Sequence, residues 1–560
     1  MIGVLSKNHQ AEVVREFFQL FKTPWEFYDN NRSYDVVIAT EANDFSAINA
    51  RLIILYGAEQ KSFDSNEAIE IQPKDGSTFL QTDNIEFPIY KNLSAINGHG
   101  KPLIRIKNSS DIAGLEIEKS GSKIIRVGYD LLEEVAFLLS VGQPPENALI
   151  PTLELHISML RSWILNSGIP LVEIPPVPAG YNFITCLTHD VDFIRIRDHK
   201  FDHTMWGFLY RATIGTLIDV LGGKRQWKKL LQNWKAALTL PFVYLGICRD
   251  FWFQFDRYLE IEKNVRSTFF LIPFKNRPGK KVSGRFAERR ATKYDIGDIL
   301  DVAKKLTNQG VEVGVHGIDA WHDAESARQE LVRISEVTGR SDIGIRMHWL
   351  CFDMNSPRIL EEAGFSYDSS FGYNDAVGYR AGCSQAFKPI GVKKIIELPL
   401  HIQDTALFNP QRMDLSELQA WQLCKVLIEK ALTYSGVLTI LWHDRSLAPE
   451  RLYEDFYIKL LAELKAHNAW FATAGQVTEW FRRRREIIFK EVKLAGDTIQ
   501  LKLKDDYEGN NHPQMTLRIF NSNSKHSKDE FSYGPAKNYK DIPWDGASEL
   551  EITLNGAKRN

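Results

Sequence analysis

Short apolar runs alternate with amphipathic stretches through the first 150 residues: Ile2–Leu5, Ala11–Phe21, then 36–39 and 52–56. That rhythm predicts strands layered with helices, a small α/β domain over 1–150. Its glycines, such as Gly3 and Gly57, open neither a GxGxxG nor a Walker pattern, so no phosphate-cradling loop is expected. A helical stretch over 127–165 leads through a connection at 151–174 to Ile174-Pro175-Pro176-Val177-Pro178. Prolines cannot continue a helix, and a boundary falls there.

From 175 to 482 the pattern becomes a βα series. Asp295 is placed to cap a helix whose face is Ile296, Ile299, Leu300, Ala303 and Leu306; Gly310 ends it, and 311–315 extends as a strand. A helix over 324–337 stopped by Gly339 precedes a strand over 343–347. A third helix has Ser356 as its cap, Pro357 in the first turn and Gly364 as its stop, before a strand over 365–367. Such repetition predicts a barrel or an open parallel sheet. After Trp480 the period changes to two, in Ile499/Leu501/Leu503, Met515/Leu517/Ile519 and Leu550/Ile552/Leu554, which predicts a small antiparallel β module over 487–560. The arginine run 482–485 closes the preceding helix, where cations complement the dipole, and reads as a solvated face.

Composition narrows the possibilities. At 560 residues the chain exceeds one core, and three units are expected. Apolar content of 44%, charged content of 25% and a formal charge of −2 describe an ordinary globular protein. They give no long-range field for nucleic acid or for an anionic membrane, though local patches remain open. The five cysteines, all between 186 and 424, match neither a zinc ribbon nor a disulfide framework and read as reduced thiols. The N-terminus lacks the charged region, apolar run and cleavage site of a secretory signal, so a cytoplasmic location is expected. The most membrane-like stretch, 205–221, is interrupted by Arg211 and Asp219 and is too short to span.

The candidate chemistry collects where strands end, the rim on which sites form in parallel βα architectures. Strand 182–187 runs into Thr188-His189-Asp190-Val191-Asp192, whose two acids share a side if the chain stays extended. Strand 311–315 ends in His316, strand 343–347 carries Arg346 and His348 on one face, and strand 436–442 ends in His443-Asp444. Asp and two His are a plausible set for Zn²⁺ or a similar divalent ion with positions left open. A second carboxylate can then act as base and a separate histidine as acid, the requirements of amide or ester hydrolysis.

Six pieces, taken in order, resemble the polysaccharide deacetylase (NodB-homology) family: Thr188-His189-Asp190-Val191-Asp192, Ser267-Thr268-Phe269-Phe270-Leu271, Glu312-Val313-Gly314-Val315-His316-Gly317, Arg346-Met347-His348, Gly364 to Ser370 and Leu441-Trp442-His443-Asp444. The resemblance implies a distorted (β/α)₇ barrel that uses a divalent metal, zinc in particular, to remove acetyl groups from sugars. Carried over by position, Asp190 resembles the catalytic base, Asp192 the metal carboxylate and His316 the first metal histidine. Arg346 resembles the arginine that orients the base, and His443 the general acid. Two features depart from the family's pattern. Val191 separates two acids that are usually adjacent, and Ala320 stands where the second metal histidine is usual, four residues after His316. His348 or His322 can take that role, and His348 is preferred because it shares a strand face with Arg346. Asp319 and Asp444 are expected to support the ligands or cap the chain rather than bind metal.

An insertion at about 195–260 exceeds what the barrel needs. Its tryptophans 206, 227 and 234 lie among Lys224, Arg225, Lys228, Lys229 and Lys235, a composition suited to a lid, to a helical pair packed on the barrel, or to peripheral membrane contact through 205–235. The expected function is deacetylation, N- or O-linked, of an acetylated saccharide in cell-surface polysaccharide metabolism. Hydrolysis of a small non-sugar amide on the same barrel, or a degenerate carbohydrate-binding protein favoured by Ala320, are the alternatives.

Overall fold

The computed structural model describes residues 1–41, 48–82, 85–119, 121–281, 287–505, 513–521 and 539–554. Near the N-terminus the strands Trp25–Phe27, Ile2–Leu5, Tyr34–Ala39, Ala50–Tyr56 and Ser122–Val127 lie side by side and parallel. The sheet continues antiparallel through Ile112–Lys119, Lys101–Ile106, Thr78–Gln81 and Glu86–Ile89. Helix Ala11–Phe21 packs Val14, Phe17 and Phe21 into the same core as Ile2, Val36 and Ile54. The helical stretch expected over 127–165 is two helices, Leu131–Ser140 and Thr152–Asn166. Pro144, Pro145 and Pro151 fall between them and interrupt the backbone hydrogen-bond ladder.

A second sheet is wholly parallel. Outward on one side of Phe183–Asp190 come Ser267–Leu271, Glu312–Gly317, Ile345–Met347, Tyr367–Asp368 and Ile396–Glu397; on the other come Val437–Leu441 and Ile402–Gln403. Its two outermost strands are joined by residues 398–401 alone. At roughly 3.5 Å per residue such a link reaches no more than about 20 Å, so the sheet must curl until its edges approach. This half-barrel is compatible with a βα barrel. Helices Leu300–Asn308, Ala324–Thr338, Ser356–Ala363, Glu417–Tyr434 and Glu454–Ala466 bury apolar residues against it.

Local signals in the sequence are met with small shifts. The Asp295 carboxylate accepts from Gly297 N–H at 2.9 Å, but the turn it opens is 3₁₀ before the α-helix begins at Leu300. The cap of Ser356–Ala363 is Asn355, one residue earlier than expected. The strand expected over 343–347 is only Ile345–Met347. The chain beyond it turns through His348–Leu350, with Trp349 and Leu350 left-handed at φ 65° and 49°. His348 therefore stands just past the strand rather than on it.

Toward the C-terminus lie two three-stranded antiparallel sheets. One is Ile487–Ala495, Thr498–Asp505 and Glu549–Thr553; the other joins Met515–Phe520 and Tyr539–Trp544 to Leu171–Glu173, a strand from before the barrel. The arginine run is not a solvated face. Arg484 is buried and donates to the carbonyls of Gln19, Leu20 and Ile174, and Arg485 pairs with the buried Glu16. Arg484 thus answers carbonyls at the C-terminal end of helix Ala11–Phe21 and Arg485 a carboxylate within it, partners remote in sequence that local charge reasoning does not see. The insertion holds helices His203–Tyr210, Thr216–Leu221 and Trp227–Tyr244. Among the described residues, no helix is long and apolar enough to cross a membrane.

Candidate metal centre and acid–base groups

Asp190 is the last residue of strand Phe183–Asp190 and Asp192 lies two beyond it. The two backbone segments are tied to the neighbouring strand end, since Asp444 N–H donates to the Asp190 carbonyl at 3.2 Å and Asp192 N–H donates to Asp444 Oδ1 at 3.3 Å. Burial, reinforced by the charge of Asp192, pushes the Asp444 carboxyl up to about 8.

Arg346 is fixed from every side. Its Nη1 donates to Asp190 Oδ1 at 3.1 Å and to Thr188 Oγ1 at 2.6 Å; Nε and Nη2 donate to the Ser369 carbonyl and hydroxyl at 2.9 and 2.8 Å. The guanidinium also lies 4.7 Å from the Phe270 ring centroid. A buried cation so held keeps the Asp190 carboxylate oriented toward the rim.

Asp192 gathers three imidazoles. Its Oδ1 lies 3.3 Å from His316 Nε2 and 3.4 Å from His348 Nε2, while Oδ2 lies 3.8 Å from His443 Nε2. Burial resists ionisation of this carboxyl, but the imidazoles facing it, charged His443 among them, outweigh burial and hold the group well below the usual carboxylate range. His316 Nδ1 sits 3.0 Å from the Arg346 carbonyl, to which it can only donate, so its Nε2 presents a lone pair toward Asp192. Burial, against the pull of Asp192 and with Arg290 and charged His443 nearby, keeps His348 neutral, its pKa well below that of a free histidine.

One ligand atom from each of Asp192, His316 and His348 lies within 4.8 Å of the other two. Asp192 Oδ1 and His348 Nδ1 are buried without a hydrogen-bond partner. A carboxylate oxygen and two imidazoles this close together could hold a cation, and an N₂O set fits a divalent ion such as zinc with open coordination positions. His322 is not in this group. Its Nε2 is 3.0 Å from Asp319 Oδ1, which also accepts the Lys280 N–H at 2.7 Å. Ala320 is buried and offers no ligand.

His443 faces the other oxygen of Asp192. Its Nδ1 is 2.6 Å from Asp404 Oδ1, and its backbone N–H donates to Asp404 Oδ2 at 2.9 Å. Burial disfavours the charged ring, but Asp404 by charge and hydrogen bond, then Asp192 and Asp190, raise it to about 9. The ring thus carries a proton at neutral pH with Nε2 toward the carboxylate cluster, the state a general acid needs.

Sequence reasoning missed two residues here. Asp404 follows the two-residue strand Ile402–Gln403, too short for any periodicity to mark it. Arg290, buried in a loop turn, donates to the carbonyls of His348, Gly317 and Ile318 at 3.0, 3.4 and 2.8 Å, tethering the chain beside both imidazoles. His189, inside the first motif, points elsewhere: its ring nitrogens meet the Trp442 carbonyl at 2.8 Å and Glu262 at 2.9 Å.

A cleft of about 660 Å³ flanks the His443 side, lined by Asp404, Thr405 and Arg451 from the barrel and by Tyr210, Ile218 and Arg225 from the insertion. Asp192, His316 and His348 do not line it.

Among solved structures, the chain is similar to polysaccharide deacetylases. A putative polysaccharide deacetylase from Mycobacterium smegmatis is 18% identical at a TM-score of 0.33, over 55% of this chain and 95% of that one. Agd3, a novel carbohydrate deacetylase, is 8% identical at 0.37, over 99% and 98%. Puue allantoinase is 15% identical at 0.33, over 55% and 93%. No protein family and no curated protein matches the sequence. With TM-scores below 0.5, these likenesses add no weight to any residue's role.

Proposed function

We propose that the protein is a metal-dependent hydrolase that removes acetyl groups, N- or O-linked, from a saccharide in cell-surface polysaccharide metabolism. The parallel half-barrel is read as the distorted (β/α)₇ catalytic barrel over 175–482, with an α/β domain before it and a β module after it. One observation carries the reading: a carboxylate held by a buried arginine, an Asp-His-His ligand set and a protonated histidine meet around a single carboxylate, Asp192.

Asp192, His316 and His348 would hold the ion, zinc being the best match to the donors. Bound there, it would acidify a water molecule and polarise the acetyl carbonyl. Asp190, kept in place by Arg346, accepts the proton released as the acetyl carbon is attacked. His443, charged and oriented by Asp404, gives its Nε2 proton to the departing sugar nitrogen or oxygen. The cleft beside Asp404 is large enough for a sugar residue. Its partial roof of insertion side chains favours a second reading, a small non-sugar amide.

Acetate release decides between them. Metal-depleted protein should release none from N-acetylated or O-acetylated oligosaccharides, and added zinc should restore release. Turnover of small cyclic amides alone supports the second reading; no zinc-dependent acetate or amide cleavage on any of these substrates refutes hydrolysis.

A further inference from the structure

The insertion is a helical hairpin with one face on the barrel and the other face bare. Met205, Phe208 and Ala212 on its first arm and Ala236, Leu240 and Val243 on its second are buried with Ala448 of the barrel. Asn233 binds the Thr216 hydroxyl at 2.9 Å and accepts the Glu450 N–H at 2.7 Å. Arg225 and Lys229 reach the Glu450 carbonyl and the Glu417 carboxylate. The inner face is complete.

On the outer face Trp206, Tyr210, Ile214, Ile218 and Leu221 recur every three or four residues along the first arm, all exposed. Trp227, Leu231, Trp234, Leu238, Phe242 and Leu245 do the same along the second, Leu238 and Leu245 at 77% and 71%. Two helical stripes in register with 3.6 residues per turn are not scattered surface residues; they are amphipathic faces turned outward. Among the described residues no other segment shows such a series.

Charge says what covers them. Of the six Lys and Arg in residues 203–247, Arg211, Lys224, Arg225 and Lys229 pair with Glu450, Asp414, Asp219 and Glu417, so the charge of the outer face is that of Lys228 and Lys235. Lys228 and Lys235 are exposed beside the second stripe. Seating a second copy on this face would bring these lysines against their own copies, whereas an anionic lipid surface neutralises them. Tryptophan and tyrosine with flanking lysine is the composition that settles at the boundary between lipid headgroups and acyl chains.

We propose that the hairpin 203–247 lies flat on an anionic membrane surface, its two apolar stripes in the headgroup region and Lys228 and Lys235 against lipid phosphate. Tyr210 and Ile218 belong both to the bare face and to the cleft beside Asp404, so this seat holds the cleft at the lipid–water boundary.

The test is co-sedimentation of the full chain with vesicles of phosphatidylcholine alone or mixed with phosphatidylglycerol. Binding should require phosphatidylglycerol, weaken with salt and shift tryptophan emission to the blue. The double variant Leu231→Glu/Leu238→Glu should lower partitioning by more than about tenfold with an unchanged melting temperature, because both side chains are exposed. In lipid-free solution light scattering should give one chain. Absence from both vesicle pellets overturns the proposal, as does a dimer that the double variant dissolves, which would assign the face to a second copy. Acetate release from soluble saccharides is scored separately and depends on neither result.

Discussion

Asp190 and Asp192 are two residues apart and have different surroundings. Asp190 is buried beside a guanidinium and touches the ligand set only at its edge, 3.9 Å from His316 Nδ1. Asp192 has imidazoles on both oxygens. Removing the Asp190 charge while keeping its shape should therefore separate proton transfer from metal binding. Asp190→Asn is expected to lower kcat by about 10²–10⁴-fold, the usual worth of a general base, with bound zinc unchanged by atomic absorption. Equal turnover in the variant would remove Asp190 from the mechanism. Asp190, Asp192, His316, Arg346 and His443 were legible because each ends or closely follows an unmistakable apolar run. Asp404 and Arg290 were not, because both sit on short irregular segments whose partners are far away in sequence. His348 reaches the candidate cluster through the turn after the strand, not through the common strand face with Arg346 that the alternation predicts.

The short strand Ile345–Met347 carries Arg346 and leads into His348, so its fit in the sheet bears directly on the site. Gly344, just before it, faces the Tyr367 ring, and a Cβ built there would stand 1.9 Å from a ring carbon. Tyr367 cannot move freely, since its hydroxyl donates to buried Glu312 at 2.9 Å. Gly344→Ala should destabilise the protein by roughly 1–3 kcal/mol through overpacking, lowering the melting temperature and weakening zinc binding together. A melting curve identical to wild type would show that the strand and the tyrosine adjust without cost. Helix limits were readable from caps and glycines, as at Asp295 and Gly339, because those signals are local. The two-residue strands Tyr367–Asp368, Ile396–Glu397 and Ile402–Gln403 were not, since no period can be seen in two residues.

Across the whole molecule, most of what escaped the sequence is long-range pairing. Between 70 and 127 seven short strands fill the N-terminal region, and Leu171–Glu173 pairs with Met515–Phe520, a strand from the far end of the chain. Buried carboxylates impose a pH signature on this assembly. Glu134, buried on helix Leu131–Ser140, accepts the N–H groups of Tyr90 and Lys91, yet burial raises its carboxyl from 4.5 to about 7. A raised acid binds its proton more tightly folded than unfolded. Its contribution is therefore most favourable below pH 4.5 and is lost as pH rises to 7. Glu134→Gln keeps an oxygen acceptor without the charge and should raise the melting temperature at pH 8 relative to wild type, with little change near pH 4.5. A difference between the two proteins that does not vary with pH would contradict this assignment.

Zinc titration of metal-depleted protein by calorimetry tests the account at its centre. One ion per chain should bind, with affinity lost in Asp192→Ala and His316→Ala, weakened in His348→Ala and retained in His322→Ala. A chain that takes up no divalent ion, or one whose affinity survives Asp192→Ala, would leave the acid–base groups without the cation their arrangement demands.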